Sequence, residues 1–230
     1  MAGNLPHTQT AMADPTPIAI IDYRMGNLRS VPKAVEHVGG VAQIVNTPDE
    51  IQQAKKLILP GVGAFGDGMK FLNEMGLSDP IRAFAGSGRP MLGICLGMQL
   101  LFDGSEEDAP ADAPQGLVQG LGILPGKVVR FANERGGLRV KVPQMGWNSL
   151  KWDRTDPILN GLDHGSAVYF VHSYYAQPAQ ASDVSARADY GGDFCASVHR
   201  DNLFATQFHP EKSQRVGMKI LSNFVGLANR

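Results

Sequence analysis

The stretch PMLGICLGMQLLFD, residues 90–103, decides how the chain is read. Met-Leu-Gly-Ile is a short apolar run behind a proline, the pattern of a buried strand. Cys95 follows at once between Gly93 and Gly97, and Leu-Gly-Met-Gln-Leu-Leu-Phe-Asp predicts a helix over residues 96–103. A strand that turns directly into a helix is the unit of a parallel sheet covered by helices.

The residues before it repeat the unit. PIAIID (17–22), VAQIV (41–45) and KKLILPG (55–61) read as strands; NLRSVPKAVEHVGG (27–40), GDGMKFLNEMGL (66–77) and SDPIRAFAGSG (78–88) read as helices, with Ser78 as N-cap. After Asp103 the alternation stops. GSEEDAPADAPQG (104–116) is acidic and aperiodic, so an exposed loop is expected. GKVVRF, GWNSLKW, SAVYFVHSYYA and the pair FCASVHR/LFATQFH then read as strands, the last two joined at Asp201-Asn202 as a hairpin. A final helix carries Val216, Ile220, Phe224 and Leu227 on one face. The expectation is an α/β fold with a mostly parallel central sheet, helices on both faces and additional antiparallel β-structure in the C-terminal half. Residues 18–230 form a single domain, after a flexible tail of residues 1–17.

Composition narrows the function. A net charge of −1 and no basic cluster give no electrostatic case for nucleic acid or an anionic membrane surface. No apolar run reaches the roughly 20 residues of a membrane span, and the first residues lack a secretory pattern. Two cysteines make neither a disulfide framework nor a metal-spaced pair, which fits a reduced, cytoplasmic compartment.

Gly-x-Cys-x-Gly is the spacing of a nucleophile elbow, whose sharp turn needs small neighbours and lifts the sulfur to its tip. The Leu96 N–H then points to where an oxyanion would form, and the start of the following helix favours a thiolate. A buried structural thiol in a glycine-rich turn is the competing reading. Cys195, in a strand without flanking glycines, reads as an inert core thiol.

A thiol nucleophile needs a base, and the base needs an orienting group. His7 lies in the tail; His37, His164 and His199 sit at a helix surface or near turns. His172 alternates within a β-run as a structural or pocket-shaping residue. His209 ends an apolar strand, and Glu211 follows after Pro210. In extended chain those side chains point the same way about 6.5 Å apart, so the carboxylate can hold one ring nitrogen and leave the other for the thiol. LILPGVGAFGDGM (57–69) adds glycines that let backbone N–H groups approach a ligand. Neither a dinucleotide fingerprint nor a P-loop is present.

These three segments, in this order, resemble the class I, triad-type glutamine amidotransferases over nearly all of residues 18–230. Within that class, DYRMGNLRSV, LPGVGAFGDGM, GICLGMQLLF, MGWN, FVHSYY and ATQFHPEKS are similar to the glutaminase subunits of imidazole glycerol phosphate synthases. Related families carry P-G-P-G or P-G-G-E where this chain has P-G-V-G, and Arg24 departs from the small residue many members have. The resemblance implies the flavodoxin-like fold of the class, with Cys95 attacking glutamine and His209, oriented by Glu211, moving protons. It implies oxyanion donors at Val62 and Leu96, glutamine-binding positions at Gly63, Gln99, Ser173 and Tyr174, and no metal or cofactor. It also implies a partner, a cyclase that uses the ammonia to make imidazole glycerol phosphate and AICAR in histidine biosynthesis, facing Asn27, Trp147, Tyr169 and Lys212. Three alternatives stay open: a glutaminase serving an anthranilate, GMP or pyridoxal phosphate synthase, a stand-alone γ-glutamyl hydrolase, and a regulatory homologue without activity. The last should have lost a triad residue, and none is missing.

Overall fold

The computed structural model describes residues 16–26 and 29–228. Residues 1–15 of the expected tail, and Asn27, lie outside them. The first strand, β1 (Pro17–Ile21), starts one residue before the expected domain boundary. There follow α1 (Ser30–His37), β2 (Val41–Val45), α2 (Pro48–Gln53), β3 (Lys56–Leu59), α3 (Phe65–Glu74), α4 (Ser78–Ala85), β4 (Met91–Ile94) and α5 (Leu96–Gln99). The remainder is β-rich: β5 (Phe102–Ser105), β6 (Val118–Gln119), β7 (Leu124–Arg130), β8 (Glu134–Arg135), β9 (Leu138–Arg139), β10 (Gln144–Ser149), β11 (Ala167–His172), β12 (Tyr174–Pro178), β13 (Val184–Asp189), β14 (Asp193–Arg200) and β15 (Leu203–Thr206). The long helix α6 (Gln214–Val225) comes last.

The main sheet runs β2-β1-β3-β4-β15-β14-β13. Its first five strands are parallel neighbours, and the last two pairings are antiparallel. Every residue of β3, β4 and β15 is buried, as expected of strands covered on both faces. Side-chain alternation sorts these residues into two cores. Ala19, Ile21, Leu57 and Leu59 pack with α3 and α4 through Phe65, Leu72, Ile81 and Phe84. Ile18, Ile20, Ile58 and Leu92 pack with α1 and α6 through Val35, Ile220, Leu221 and Phe224. Each of the Val, Leu, Ile and Phe side chains among these contributes about 1.5–3 kcal/mol of burial. The smaller sheets, β12-β7-β5-β6, β10-β11 and β8-β9, supply the extra β-structure of the second half.

Several local expectations change, among them the exposed loop expected from Gly104, whose first two residues are buried in β5. The helix over 96–103 is a single turn, because Phe102 leaves it to pair in parallel with β7. Ser78 is the first residue of α4 rather than its cap; its hydroxyl donates to Asn73 Oδ1 at 2.6 Å. The run SAVYFVHSYYA breaks at Ser173 into β11 and β12, which pair with β10 and β7 in different sheets. On α6 the buried face is Gly217, Ile220, Leu221 and Phe224, while Val216 is half-buried and Leu227 lies past the helix end. The Asp201-Asn202 hairpin is as expected, with Arg200 paired to Leu203. Among the described residues no helix is long and apolar enough to cross a membrane.

The parallel strands β1, β3, β4 and β15 lie side by side, and their C-terminal ends lead into Tyr23, Gly61, Cys95 and His209. That edge is where ligands bind in open α/β sheets. Close packing there depends on Gly97. A Cβ on it would sit 1.8 Å from the Leu59 carbonyl oxygen, so β3 and α5 could not both keep their places. Gly97→Ala is therefore expected to lower stability by at least about 1–3 kcal/mol in urea unfolding. Gly86→Ala, where the added carbon meets only ordinary contacts, is the control.

Candidate active site

Cys95 has φ 53° and ψ −110°, a conformation L-residues rarely adopt. It is held there because its N–H donates to the Thr206 carbonyl at 2.7 Å, while the chain must turn at once into α5. The elbow read from Gly93-x-Cys-x-Gly97 is thus a strained turn, the kind of outlier found at functional sites. One turn of helix sums few peptide dipoles, so α5 supplies less thiolate stabilisation than the longer helix expected from sequence. Cys95 opens onto a cavity of about 250 Å³ shared with Val62, Gly63, Gln99, Ser173, Tyr174 and His209. Larger hollows, two of about 320 and 440 Å³ along Trp152–Arg154 and His164 and one of about 330 Å³ along Tyr175–Ala179, contain neither Cys95 nor His209.

His209 and Glu211 meet as the sequence suggests but by another route. Strand β15 ends at Thr206, and Pro210–Lys212 form a 3-10 turn in place of the extended chain expected. The Glu211 carboxylate nevertheless accepts from His209 Nδ1 at 2.8 Å, with both side chains only 2% exposed. That bond fixes the tautomer and leaves Nε2, buried and without a hydrogen-bond partner, for Cys95. Burial alone would lower the His209 pKa; Cys95 and Glu211 outweigh it and raise it to about 9. The ring therefore carries a proton at neutral pH. The turn is clamped by β11: the His209 N–H donates to the Tyr169 carbonyl at 3.0 Å, and the Tyr169 N–H donates to Ser213 Oγ at 2.9 Å. Ser213 closes the loop by donating to the His209 carbonyl at 2.6 Å.

Beyond the triad candidates, the cavity offers acceptors. Gln99 Nε2 donates to the Tyr174 carbonyl and to Gln207 Oε1, each at 3.0 Å. Both its N–H bonds are spent, so only Oε1 remains for a ligand. Glu107 also lines the cavity, and its carboxylate accepts the Phe65 N–H at 2.8 Å, capping α3 from 42 residues away. Partial burial raises its pKa. An amide oxygen and a carboxylate lining one cavity suit an α-ammonium group. His172 is buried, and burial lowers its pKa to about 4, so it is neutral. Its Nδ1–H donates to the Tyr174 carbonyl at 2.7 Å, which makes it a structural prop rather than a base. Glu107 and Gln207 were not identified in the sequence. The acidic Ala/Pro run hides the first, and a lone glutamine at the end of an apolar strand carries no pattern.

The two expected oxyanion donors are both engaged elsewhere in this conformation. The Val62 N–H donates to the Met25 carbonyl at 2.8 Å, and the Leu96 N–H donates to the Gly61 carbonyl at 3.3 Å. One trans peptide, Gly61–Val62, makes both contacts, its C=O toward Leu96 and its N–H necessarily the opposite way. Tyr23 holds the preceding carbonyl, Pro60, at 2.8 Å from a fully buried hydroxyl. A Cβ at Gly61 would lie 2.2 Å from that hydroxyl, so only glycine fits.

Of the expected partner-facing residues, Trp147 is 49% exposed and stacks edge-on against half-buried Tyr169, its neighbour across β10-β11. Lys212 is exposed beside Glu211, and Met145 extends the apolar surface at 66% exposure. Cys195 is 3% exposed, its thiol donates to the Ser197 carbonyl at 3.4 Å, and burial raises its pKa to about 12. Cys195→Ser should accordingly keep most of the activity; a large loss in a folded protein would mean this thiol is not inert.

The chain matches the family described as glutamine amidotransferase class-I over residues 19–227. The imidazole glycerol phosphate synthase subunit HisH of Syntrophotalea carbinolica is 56% identical over 209 residues, covering 90% of this chain and 98% of the relative. The subunit of the same name from Geobacter sulfurreducens is 50% identical over 211 residues, covering 91% and 98%. Among solved structures, PurLQS from Thermotoga maritima superposes with a TM-score of 0.70 at 19% identity, over 92% of this chain and 98% of that one. A glutamine amidotransferase superposes with 0.67 at 21% identity, over 91% and 99%. The structural likenesses support the fold and the family match covers the elbow, the glycine-rich strand and the His-Pro-Glu turn together: the chain belongs to the class-I glutamine amidotransferase family.

Proposed function

We propose that this chain is the glutaminase subunit of an imidazole glycerol phosphate synthase, passing ammonia from glutamine to a cyclase partner. The observation that carries the reading is the meeting, in one cavity, of a cysteine on a strained elbow with a carboxylate-held histidine. Cys95 Sγ attacks the side-chain carboxamide carbon. His209 Nε2 gives its proton to the departing nitrogen, leaving a glutamyl thioester and ammonia. A water then attacks the thioester with His209 as base, releasing glutamate, freeing the sulfur and returning the proton to His209. Gln99 Oε1 and Glu107 receive the α-ammonium, while Gly63, Ser173 and Tyr174 form the rest of the glutamine site. Trp147, Tyr169 and Lys212 face the partner. The high identity to named synthase subunits over almost their whole length supports the choice of cyclase, as does the P-G-V-G strand. Two free thiols suit a cytoplasmic setting.

The test is glutamate release by the complex carrying single changes at the histidine pair. His209→Asn should lower kcat by about 10⁴-fold or more, because triad members act as a unit. Glu211→Gln should lose less, since it orients the ring without transferring the proton. A mild His209→Asn beside a severe His172→Ala would move the base to β11 and refute the assignment.

A further inference from the structure

The nucleophile has a neighbour that the triad does not account for. Gln207 is fully buried, and its Nε2 donates to Cys95 Sγ at 3.8 Å, toward the long end for a sulfur acceptor. Its Oε1 accepts from Gln99, and its backbone N–H donates to the Ala196 carbonyl at 2.8 Å. We propose that Gln207 is a positioning residue that holds Cys95 in the thiolate form and links it to the substrate-binding amide of Gln99. The inference rests on Cys95 being the nucleophile.

The direction of this relay is set at one carbonyl. Tyr174 O can only accept, so the end of Gln99 that touches it must be its NH₂ group. The second N–H of that group points at Gln207, whose near end must then be oxygen. The far end, against the sulfur, is therefore a donor. The Tyr174 carbonyl is itself pinned by the Nδ1–H of His172. Without these constraints the Gln207 amide could turn and present an oxygen to the sulfur, which would favour the thiol. A donor favours the thiolate, which accepts hydrogen bonds far better than a thiol. The one polar atom Gln99 keeps for a ligand is its Oε1. An α-ammonium bound there polarises the same amide whose N–H groups feed Gln207, so an occupied site strengthens the bond on the sulfur. His209 and Gln207 are thus both neighbours of the same sulfur.

The experiment uses the full chain with Cys195→Ser, so that Cys95 is the only thiol. Its alkylation rate by iodoacetamide is followed against pH by intact mass, without glutamine. Gln207→Met and Gln207→Leu keep most of the volume and remove the donor. Each should raise the midpoint of the alkylation profile by about one pH unit, a tenfold loss of thiolate below it. In complex with the cyclase, kcat for glutamine should fall about tenfold and KM change little. Gln99→Met should raise the midpoint less, and the Gln99→Met/Gln207→Met pair no further than Gln207→Met alone, because both act through one route. A residue that merely fills space would leave the midpoint where it was. An unchanged midpoint in either Gln207 variant, with wild-type thermal unfolding, overturns the proposal while leaving Cys95 as nucleophile. A wild-type Cys95 that shows no titrating reactivity at all would overturn the nucleophile assignment as well, so the two failures are told apart.

Discussion

Cys95→Ala should release no glutamate above the uncatalysed background, a loss on the order of 10⁶-fold in kcat, while remaining folded and able to bind its partner. The size of the loss follows from the chemistry. No other described group in the cavity can form the thioester, and Cys195 sits in β14 with its thiol given to Ser197. The folded state should survive because the strain at φ 53° belongs to the backbone, and alanine inherits it while removing one buried sulfur. Steady-state glutamate formation and a gel-filtration test of complex formation read the two halves separately. Near wild-type turnover in Cys95→Ala would end the nucleophile assignment outright.

The isolated chain should be a slow glutaminase, and the cyclase with its nucleotide substrate bound should accelerate it by about 10²–10³-fold. In the conformation described here neither Val62 nor Leu96 offers a free N–H to a tetrahedral intermediate. The missing donors, not the triad, set the resting rate. One peptide rotation at Gly61–Val62 would withdraw the carbonyl from Leu96 and bring the Val62 N–H to the site. The rotation turns Gly61 ψ and Val62 φ, and glycine at 61 leaves the first of these free. It costs the bond to Met25, so a bound partner has to favour the turned state by more than that bond contributes. Glutamate release is measured on the chain alone, with the cyclase, and with the cyclase plus its substrate. Equal rates in all three would refute this account and favour a stand-alone γ-glutamyl hydrolase.

The parallel half of the fold was legible because buried strands and amphipathic helices leave distinct periods, and each strand from β1 to β4 falls where its apolar run lies. The elbow was legible for a related reason: tight packing admits only glycine at 97, so the constraint is written in the residue type. Strand β13 and the short β5 left no such mark, since VSARAD and FDGS are neither strongly alternating nor β-branched throughout. The length of α5 was misread because Leu100 and Leu101, in the turn after it, and Phe102, in β5, are all buried in the core, which gives the same apolar letters as a helix. Gln207 and Glu107 act through contacts 112 and 42 residues away, and no local pattern encodes a distance of that kind. The orientation of the Gly61–Val62 peptide is a backbone property and has no letter at all.

Strand β15, the last strand of the described chain, lies in the interior of the sheet, between β4 and β14. During synthesis the nucleophile therefore emerges long before its base. Until Leu203–Thr206 have inserted, β4 presents an open edge, and Cys95 has neither Gln207 nor His209 beside it. A chain that stops short of Gln207 and His209 thus lacks the base of the proposed reaction, however complete its first half. The exposure falls on folding, because an unpaired parallel edge invites aggregation until a contact of high sequence separation closes it.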